Sequence, residues 1–158
     1  MWGQRPTGRQ IPFKTRSQSV QESDRRCAGP HTSFSLSVHL GQAGRREEAL
    51  AASEEAVAAY RELAGNNMAA YGPDLARSLN NLSNNLGESG RGDEAVAAVE
   101  EAVALRRGLA ENNMAAYGPD LARSLNNLSI RLGEAGRHDE ALTAIEEAAA
   151  IKAKQPHL

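Results

Sequence analysis

Arginine and asparagine side chains recur on one face of a predicted helix in this chain. Positions 77, 80, 81 and 84 stand at i, i+3, i+4 and i+7, and three of them repeat 46 residues later. The seven side chains are Arg77, Asn80, Asn81, Asn84, Arg123, Asn126 and Asn127. An amide both donates and accepts hydrogen bonds, so a row of amides can pair with the backbone of an extended peptide, and arginine can hold a carboxylate through two hydrogen bonds. We expect these side chains to form a peptide-binding surface.

A purely structural role for the same asparagines is the alternative. Asparagine is a poor helix former, so several of them in one helix require an explanation. Asn80 and Asn81 could hydrogen-bond to neighbouring turns and set the geometry between packed units. Ile130 replaces the amide of Asn84 in the second copy, so the surface becomes less polar towards that end. Both interpretations stay open at the level of the sequence.

The other residue types that carry chemistry form no catalytic pattern. Cys27 is the single cysteine, and the four histidines have no ligand-like spacing, so we expect surface or loop positions for His31, His39, His138 and His157. The Asp-Glu pairs at 93–94 and 139–140 stand at predicted helix starts, where carboxylates cap N–H groups. The glutamate pairs at 100–101 and 146–147 are typical of a solvated face. We therefore predict no enzymatic activity, no metal and no cofactor.

The elements that position these residues come from an internal repeat. The stretch NNMAAYGPDLARSLNNLS occurs without change at 66–83 and at 112–129. With this period of 46, residues 66–111 match 112–157 at 31 of 46 positions, and a more divergent copy precedes them. A repeat of this length is typical of a solenoid, in which each unit covers its apolar face with the next unit.

Each unit is predicted to contain two helices. Pro73 can start the first helix, and Gly87 and Gly90 can end it. Its apolar stripe recurs at steps of four, three and four: Leu75, Leu79, Leu82 and Leu86. Asp93 is predicted to cap the second helix, which runs to about Leu109 and ends at Asn112-Asn113. Its inner face carries Ala95, Val96, Val99, Ala102 and Val103. The fold class is therefore an all-α solenoid of antiparallel helix pairs.

With these positions the chain resembles the tetratricopeptide repeats over residues 33–155. The signature positions are filled by Leu79, Leu82, Ser83, Leu86, Gly90, Ala95, Val99 and Ala102, and in the last unit by Leu125, Leu128, Ser129, Leu132, Gly136, Ala141, Ile145 and Ala148. The usual aromatic residues are replaced and the period is 46, which is similar to the long-repeat branch of kinesin light chains and of bacterial arrays appended to nucleotide-binding switch proteins. The resemblance implies that the first helices line a concave, peptide-holding groove.

The two ends of the chain depart from the repeat. We expect a disordered basic leader at 1–32, a degenerate first unit at 33–65 that has lost its opening helix, and full units at 66–111 and 112–155. A shifted reading frame is a further hypothesis for the leader, since codons allowed for 22–32, read one base later, can encode a sequence similar to MAAYGPDLA. At the other end, four apolar residues form a flank that a following helix would be expected to cover: Leu142, Ile145, Ala149 and Ile151. Self-association through this flank and a fragment of a longer protein are both open.

Charge and composition restrict the class of partner. Residues 1–32 hold six Lys/Arg against two Asp/Glu, a balance of +4, and 33–158 hold twelve against eighteen, a balance of −6. An acidic array disfavours nucleic acid, and no stretch is apolar enough to cross a membrane. We predict a cytoplasmic, non-enzymatic scaffold of about two and a half units that binds a protein or peptide along its concave face. The alternative is a detached sensor fragment of a larger nucleotide-binding signalling protein.

Overall fold

The computed structural model describes residues 29–154, and all six elements in this range are α-helices. They are α1 (Pro30–Gln42), α2 (Arg46–Asn66), α3 (Met68–Glu88), α4 (Gly92–Asn112), α5 (Met114–Glu134) and α6 (His138–Ala153). Each helix packs mainly on the helices before and after it in the chain. The predicted solenoid of helix pairs is confirmed.

The two helices of a unit are joined by a tight turn that requires glycine. Gly90 has a φ of +77°, a left-handed conformation that a side chain disfavours. The turn closes when Arg91 N donates to Leu86 O at 2.9 Å and Gly90 N donates to Gly87 O at 3.1 Å. This bonding satisfies carbonyls at the end of α3. Gly87 itself lies inside α3, so only one of the two predicted helix-breaking glycines ends the helix.

Consecutive units are joined through a single asparagine. Asn67 ends α2 by donating from its backbone N to Leu63 O, and it caps α3 by accepting a hydrogen bond from Ala70 N at 3.1 Å. Because the Asn67 side chain accepts a hydrogen bond from an N–H group of the first turn, α3 begins at Met68 and includes Pro73. The predicted helix start at Pro73 was therefore wrong by five residues.

The second helices begin without a side-chain cap. Arg91 is the N-cap residue of α4, and Asp93 and Glu94 lie in its first turn. The predicted cap at Asp93 was wrong. The carboxylates instead complement the positive end of the helix dipole, and Arg91 Nε donates to Glu94 Oε1 at 2.7 Å. The predicted end of this helix at Asn112 is confirmed.

The core is built from small and branched aliphatic side chains, as the two predicted stripes require. In α3 the buried members of the stripe are Leu75, Leu79 and Leu86. In α4 all five predicted inner residues are buried: Ala95, Val96, Val99, Ala102 and Val103. Alanines at the contact let neighbouring helix axes approach closely, which is how a chain with few aromatic residues closes its interior.

The first unit retains a short opening helix, so its predicted loss was wrong. Helix α1 has 13 residues, against 21 in α3, and begins with Pro30 in its first turn. Its buried residues are Ser33, Ser37 and Leu40, and Leu40 packs against Ala49 and Ala52 of α2. The helix starts three residues before the predicted boundary at 33. Most of the predicted leader, with Cys27, and the end of the chain, with His157, lie outside the described residues.

Candidate partner-binding face

The first helices of the three units, α1, α3 and α5, form one face of the array, which we call the first-helix face. Cα atoms of successive first helices come within 8 Å of each other at more positions than those of successive second helices. The first helices therefore lie on the concave side of the array. The seven predicted site residues all belong to α3 and α5, so they lie on this side.

Three of the predicted asparagines use their amides to join one unit to the next. Asn80 Nδ2 donates to Ser124 Oγ at 2.7 Å, and Asn80 Oδ1 accepts from Asn127 Nδ2 at 3.2 Å, so α3 and α5 are linked twice. Asn81 Nδ2 donates to Ser37 Oγ at 2.6 Å and links α3 to α1. The hydrogen bonds of Asn80, Asn81 and Asn127 therefore agree with the alternative interpretation, in which these amides set the geometry between packed units.

The other four predicted residues, together with Asn80 and Asn127, line a groove between α3 and α5 with a volume of about 390 Å³. The Asn126 side chain makes no hydrogen bond within residues 29–154 and is half-buried. Asn84 is exposed and accepts from Arg131 Nη2 at 3.3 Å. Arg77 and Arg123 are exposed, and each pairs with an aspartate three residues earlier in its helix, at 2.7 and 2.9 Å.

Arg106, which the pattern analysis missed, enters the same groove from the second helix α4. Its residue is only 4% exposed, and Nη1 donates to Asp120 O at 2.6 Å and to Ser124 Oγ at 2.7 Å. Burial lowers the pKa of this guanidinium, Asp120 opposes the shift, and the positive charges of Arg123 and Arg77 add to it. Arginine stays protonated in proteins, so the charge is held inside the fold.

A signal for Arg106 was present in the sequence. It continues the inner stripe of α4 at steps of four, three and four, after Val99 and Val103 and before Ala110. A charged residue on a stripe that is otherwise buried indicates a polar contact across the core.

Arg131 is a second groove residue that the pattern did not identify. Its Nη1 pairs with Glu134 at 2.7 Å, and its guanidinium lies over Gly87, where a Cβ atom would overlap it. The side chain is 14% exposed and closes one end of the groove. The missing side chain at Gly87 thus permits close packing between units.

Ion pairs connect the second helices on the opposite face. Arg61 pairs with Glu101 at 2.7 Å, and Arg91 pairs with Glu54 at 3.1 Å, joining α2 to α4. The same pattern joins α4 to α6 through Arg107 with Glu147 and Arg137 with Glu100. Of the glutamate pairs predicted as a solvated face, Glu100 and Glu146 are exposed and Glu101 and Glu147 are half-buried. Three of the four, all except Glu146, bridge neighbouring units. Each such pair adds little stability because it is exposed.

The described histidines take no part in the groove. His31, His39 and His138 are exposed, which confirms the expected surface positions, and His31 Nδ1 lies 2.6 Å from the buried Tyr60 hydroxyl. Within residues 29–154, no three side chains of the histidine, cysteine, aspartate and glutamate types come together as a metal site would need. None of the described helices combines the length and the apolar character that crossing a membrane requires.

Comparison with known sequences identifies the repeat. The tetratricopeptide repeat pattern matches the chain three times, at residues 35–67, 75–111 and 121–154. These matches cover well over half of the sequence and coincide with the three helix pairs. The chain belongs to the tetratricopeptide repeat family.

The structural comparison of this tetratricopeptide repeat array yields 41 matching chains. One is the crystal structure of MamA, with a TM-score of 0.41 and 16% sequence identity over 87% of this chain and 85% of that chain. No curated protein sequence matches. The assignment rests on the three sequence matches and on the helix pairs that coincide with them. Tetratricopeptide repeats are a class of scaffold that generally mediates protein interactions, and the present array has that fold.

Proposed function

We propose that this array is a non-enzymatic interaction module that holds an extended peptide or partner segment in the groove between α3 and α5. The supporting observation is that polar groups with free bonding capacity converge there. Asn126 makes no side-chain hydrogen bond within residues 29–154, and Arg77 and Arg123 keep about half or more of their side chains exposed. These groups can bond the backbone and side chains of a peptide.

We assign the seven predicted residues to two roles. Arg77, Asn84, Arg123 and Asn126 would contact the occupant directly. Asn80, Asn81 and Asn127 would position the helices that carry those contacts, through the bonds that cross between units. Binding to a preformed polar surface costs little ordering of the protein, which favours affinity for a flexible segment.

The test begins with peptides selected from a random library on the complete chain. Fluorescence anisotropy then measures their affinity for the wild type, for Arg123→Ala and for Asn126→Ala. Loss of one charge-assisted or one neutral hydrogen bond should weaken binding about three- to tenfold. Arg61→Ala, on the opposite face, is the matched control and should leave affinity unchanged. Selected peptides that are insensitive to both groove variants would place the binding site elsewhere and refute the proposal.

We also propose a protein or peptide as the partner class and the cytoplasm as the location. The net charge of −6 over residues 33–158, from twelve Lys/Arg and eighteen Asp/Glu, supports a partner other than nucleic acid. The single cysteine supports a fold that needs no disulfide. Fluorescence microscopy of the tagged chain, with fractionation, tests the location; recovery with the membrane or envelope fraction would contradict it.

Self-association through the end of the array is a further part of the proposal. Leu142 and Ile145 on α6 are 58% and 47% exposed, while their equivalents in α4, Val96 and Val99, are 4% and 0% exposed beneath α5. Leu36 on α1 is likewise 41% exposed. A contact between α6 of one copy and α1 of the next would cover both ends.

The internal repeat supports this head-to-tail pairing. Leu142 stands two periods after Leu50, and Leu36 stands one period before Leu82. Leu50 of α2 and Leu82 of α3 pack against the same apolar cluster, whose buried members are Leu86, Ala95 and Ala98. Repeating that contact between molecules gives an open chain of copies, since the two surfaces differ. Light scattering should show mass rising with concentration, and Leu142→Glu should abolish the rise. A constant monomer mass for the wild type would refute this contact.

A further inference from the structure

One guanidinium in the groove has no carboxylate partner among the residues that the structure describes. Four arginines line this space: Arg77, Arg106, Arg123 and Arg131. Asp74, Asp120 and Glu134 pair with three of them at 2.7, 2.9 and 2.7 Å. Within residues 29–154, no carboxylate oxygen lies within 4.0 Å of the Arg106 guanidinium, which is the most deeply buried of the four. Burying a charge without a counter-ion is costly, so this residue needs a compensating role.

The bonding of Arg106 leaves one edge of its guanidinium available. Both of its hydrogen bonds within residues 29–154 come from Nη1, to Asp120 O and Ser124 Oγ. Nε and Nη2 donate to no acceptor in that range. These two nitrogens form the edge that binds a carboxylate through two parallel hydrogen bonds. The Nη1 contacts fix the plane of the group before any occupant arrives.

The charge is particular to the α3–α5 junction. One period earlier, Tyr60 stands in place of Arg106 and Phe34 in place of Asn80. There Arg77 lies over the Phe34 ring, with its Cζ atom 4.7 Å from the ring centroid, and Tyr60 meets His31. The hydroxyl of Ser78, the equivalent of Ser124, has no hydrogen-bond partner within residues 29–154. The polar network around Ser124 is thus specific to the groove and is not a general feature of the repeat.

We propose that the Arg106 edge receives the side-chain carboxylate of an acidic, extended peptide segment, with Arg77 and Arg123 on either side of it. This rests on the proposed function, and it names the class of partner for the same groove. The charge balance supports a carboxylate, since one unpaired positive charge is matched by one negative charge. A phosphate would bring nearly two charges close to Asp74 and Asp120 and would leave an excess of negative charge.

The experiment uses the complete chain and two fluorescein-labelled octapeptides with blocked ends, one with alternating glutamate and alanine and one with glutamine in place of glutamate. Anisotropy titrations should give at least about tenfold tighter binding of the glutamate peptide, the usual effect of one charge-assisted pair. Arg106→Gln should reduce this preference to roughly twofold or less, and Arg106→Lys should retain an intermediate preference because the charge remains without the planar edge. Arg61→Gln is the control and should keep the full preference.

Several results of these titrations would overturn the proposal. Equal affinity of the two peptides for the wild type overturns the proposal even if the Arg106 variants fail to fold. Equal affinity that Asn126→Ala weakens would keep the groove as the binding site and reject only the acidic preference. Failure of both peptides to bind also rejects the acidic preference, and the selected library peptides then judge the groove separately. A phosphoserine peptide that binds more than about tenfold tighter than the glutamate peptide would overturn the charge-balance reasoning.

Discussion

Asn80 and Asn126 provide a matched test of how the units are joined. They occupy the same position in two identical stretches of sequence, yet among residues 29–154 only the Asn80 side chain bonds across to the next unit. Replacing Asn80 with alanine removes its bond to Ser124 and the bond it accepts from Asn127, each worth about 1 kcal/mol. The higher helix propensity of alanine returns about 0.5 kcal/mol. Asn80→Ala should therefore lower the free energy of unfolding by about 1.5 kcal/mol.

Asn126→Ala should behave differently because no hydrogen bond is lost within the described part of the chain. Its free energy of unfolding should stay unchanged or rise by about 0.5 kcal/mol. Urea denaturation followed by far-UV circular dichroism measures both variants, and thermal melts should show Asn80→Ala about 6 °C below wild type. The double variant Asn80→Ala/Asn127→Ala should add little to Asn80→Ala, since the two share a bond. Equal midpoints for Asn80→Ala and Asn126→Ala would refute this account of the inter-unit contacts.

Three further results follow from the packing and charge of the array. Gly87→Ala should displace the Arg131 guanidinium and be about 1 kcal/mol less stable than Gly133→Ala, which has open space at the same position; equal stabilities in urea melts would contradict this. The pKa values of Glu94 and Glu140 are lowered by hydrogen bonds from Arg91 and Arg137, so their stabilising effect is present at neutral pH and is lost as the pH falls below about 4.5 through their folded-state pKa values; unfolding measured between pH 6 and 3 should be less pH-dependent in Glu94→Gln/Glu140→Gln, and an unchanged dependence would argue against these bonds. Raising NaCl to 1 M should lower the free energy of unfolding by less than about 1 kcal/mol, since the ion pairs between second helices are exposed; a larger loss would show that they matter more than their exposure implies.

Much of the fold could be predicted because two identical stretches of sequence reveal the period of the repeat. Leucines at steps of four, three and four can bury only one side of a helix, and three copies in register leave stacking as the arrangement that covers them. The helix starts were harder to predict. Pro73 is compatible with a first turn, but Asn67 competes with it by capping the helix six residues earlier. Local sequence preferences alone do not decide whether the helix begins after the asparagine or at the proline.

The roles within the candidate site were beyond what the repeated sequence could distinguish. Asn80 and Asn126 have identical neighbours along the chain, and they differ only in which helix lies beside them. The repeated pattern of the first helices does not include Arg106, because this side chain reaches the groove from α4. Contacts between units depend on how the helices of neighbouring units are placed against each other, and the length of the repeat in the sequence does not give this placement.

Nuclear magnetic resonance of the side chains tests the central claim most directly. The Asn side-chain amides and the Arg106 Nε–H group report from inside the α3–α5 groove and can be followed as a selected peptide is titrated into the labelled chain. We expect the largest chemical-shift changes at Asn84, Asn126 and Arg106, with little change at Arg61 on the opposite face. Changes confined to the second helices, with the groove signals unmoved, would contradict it.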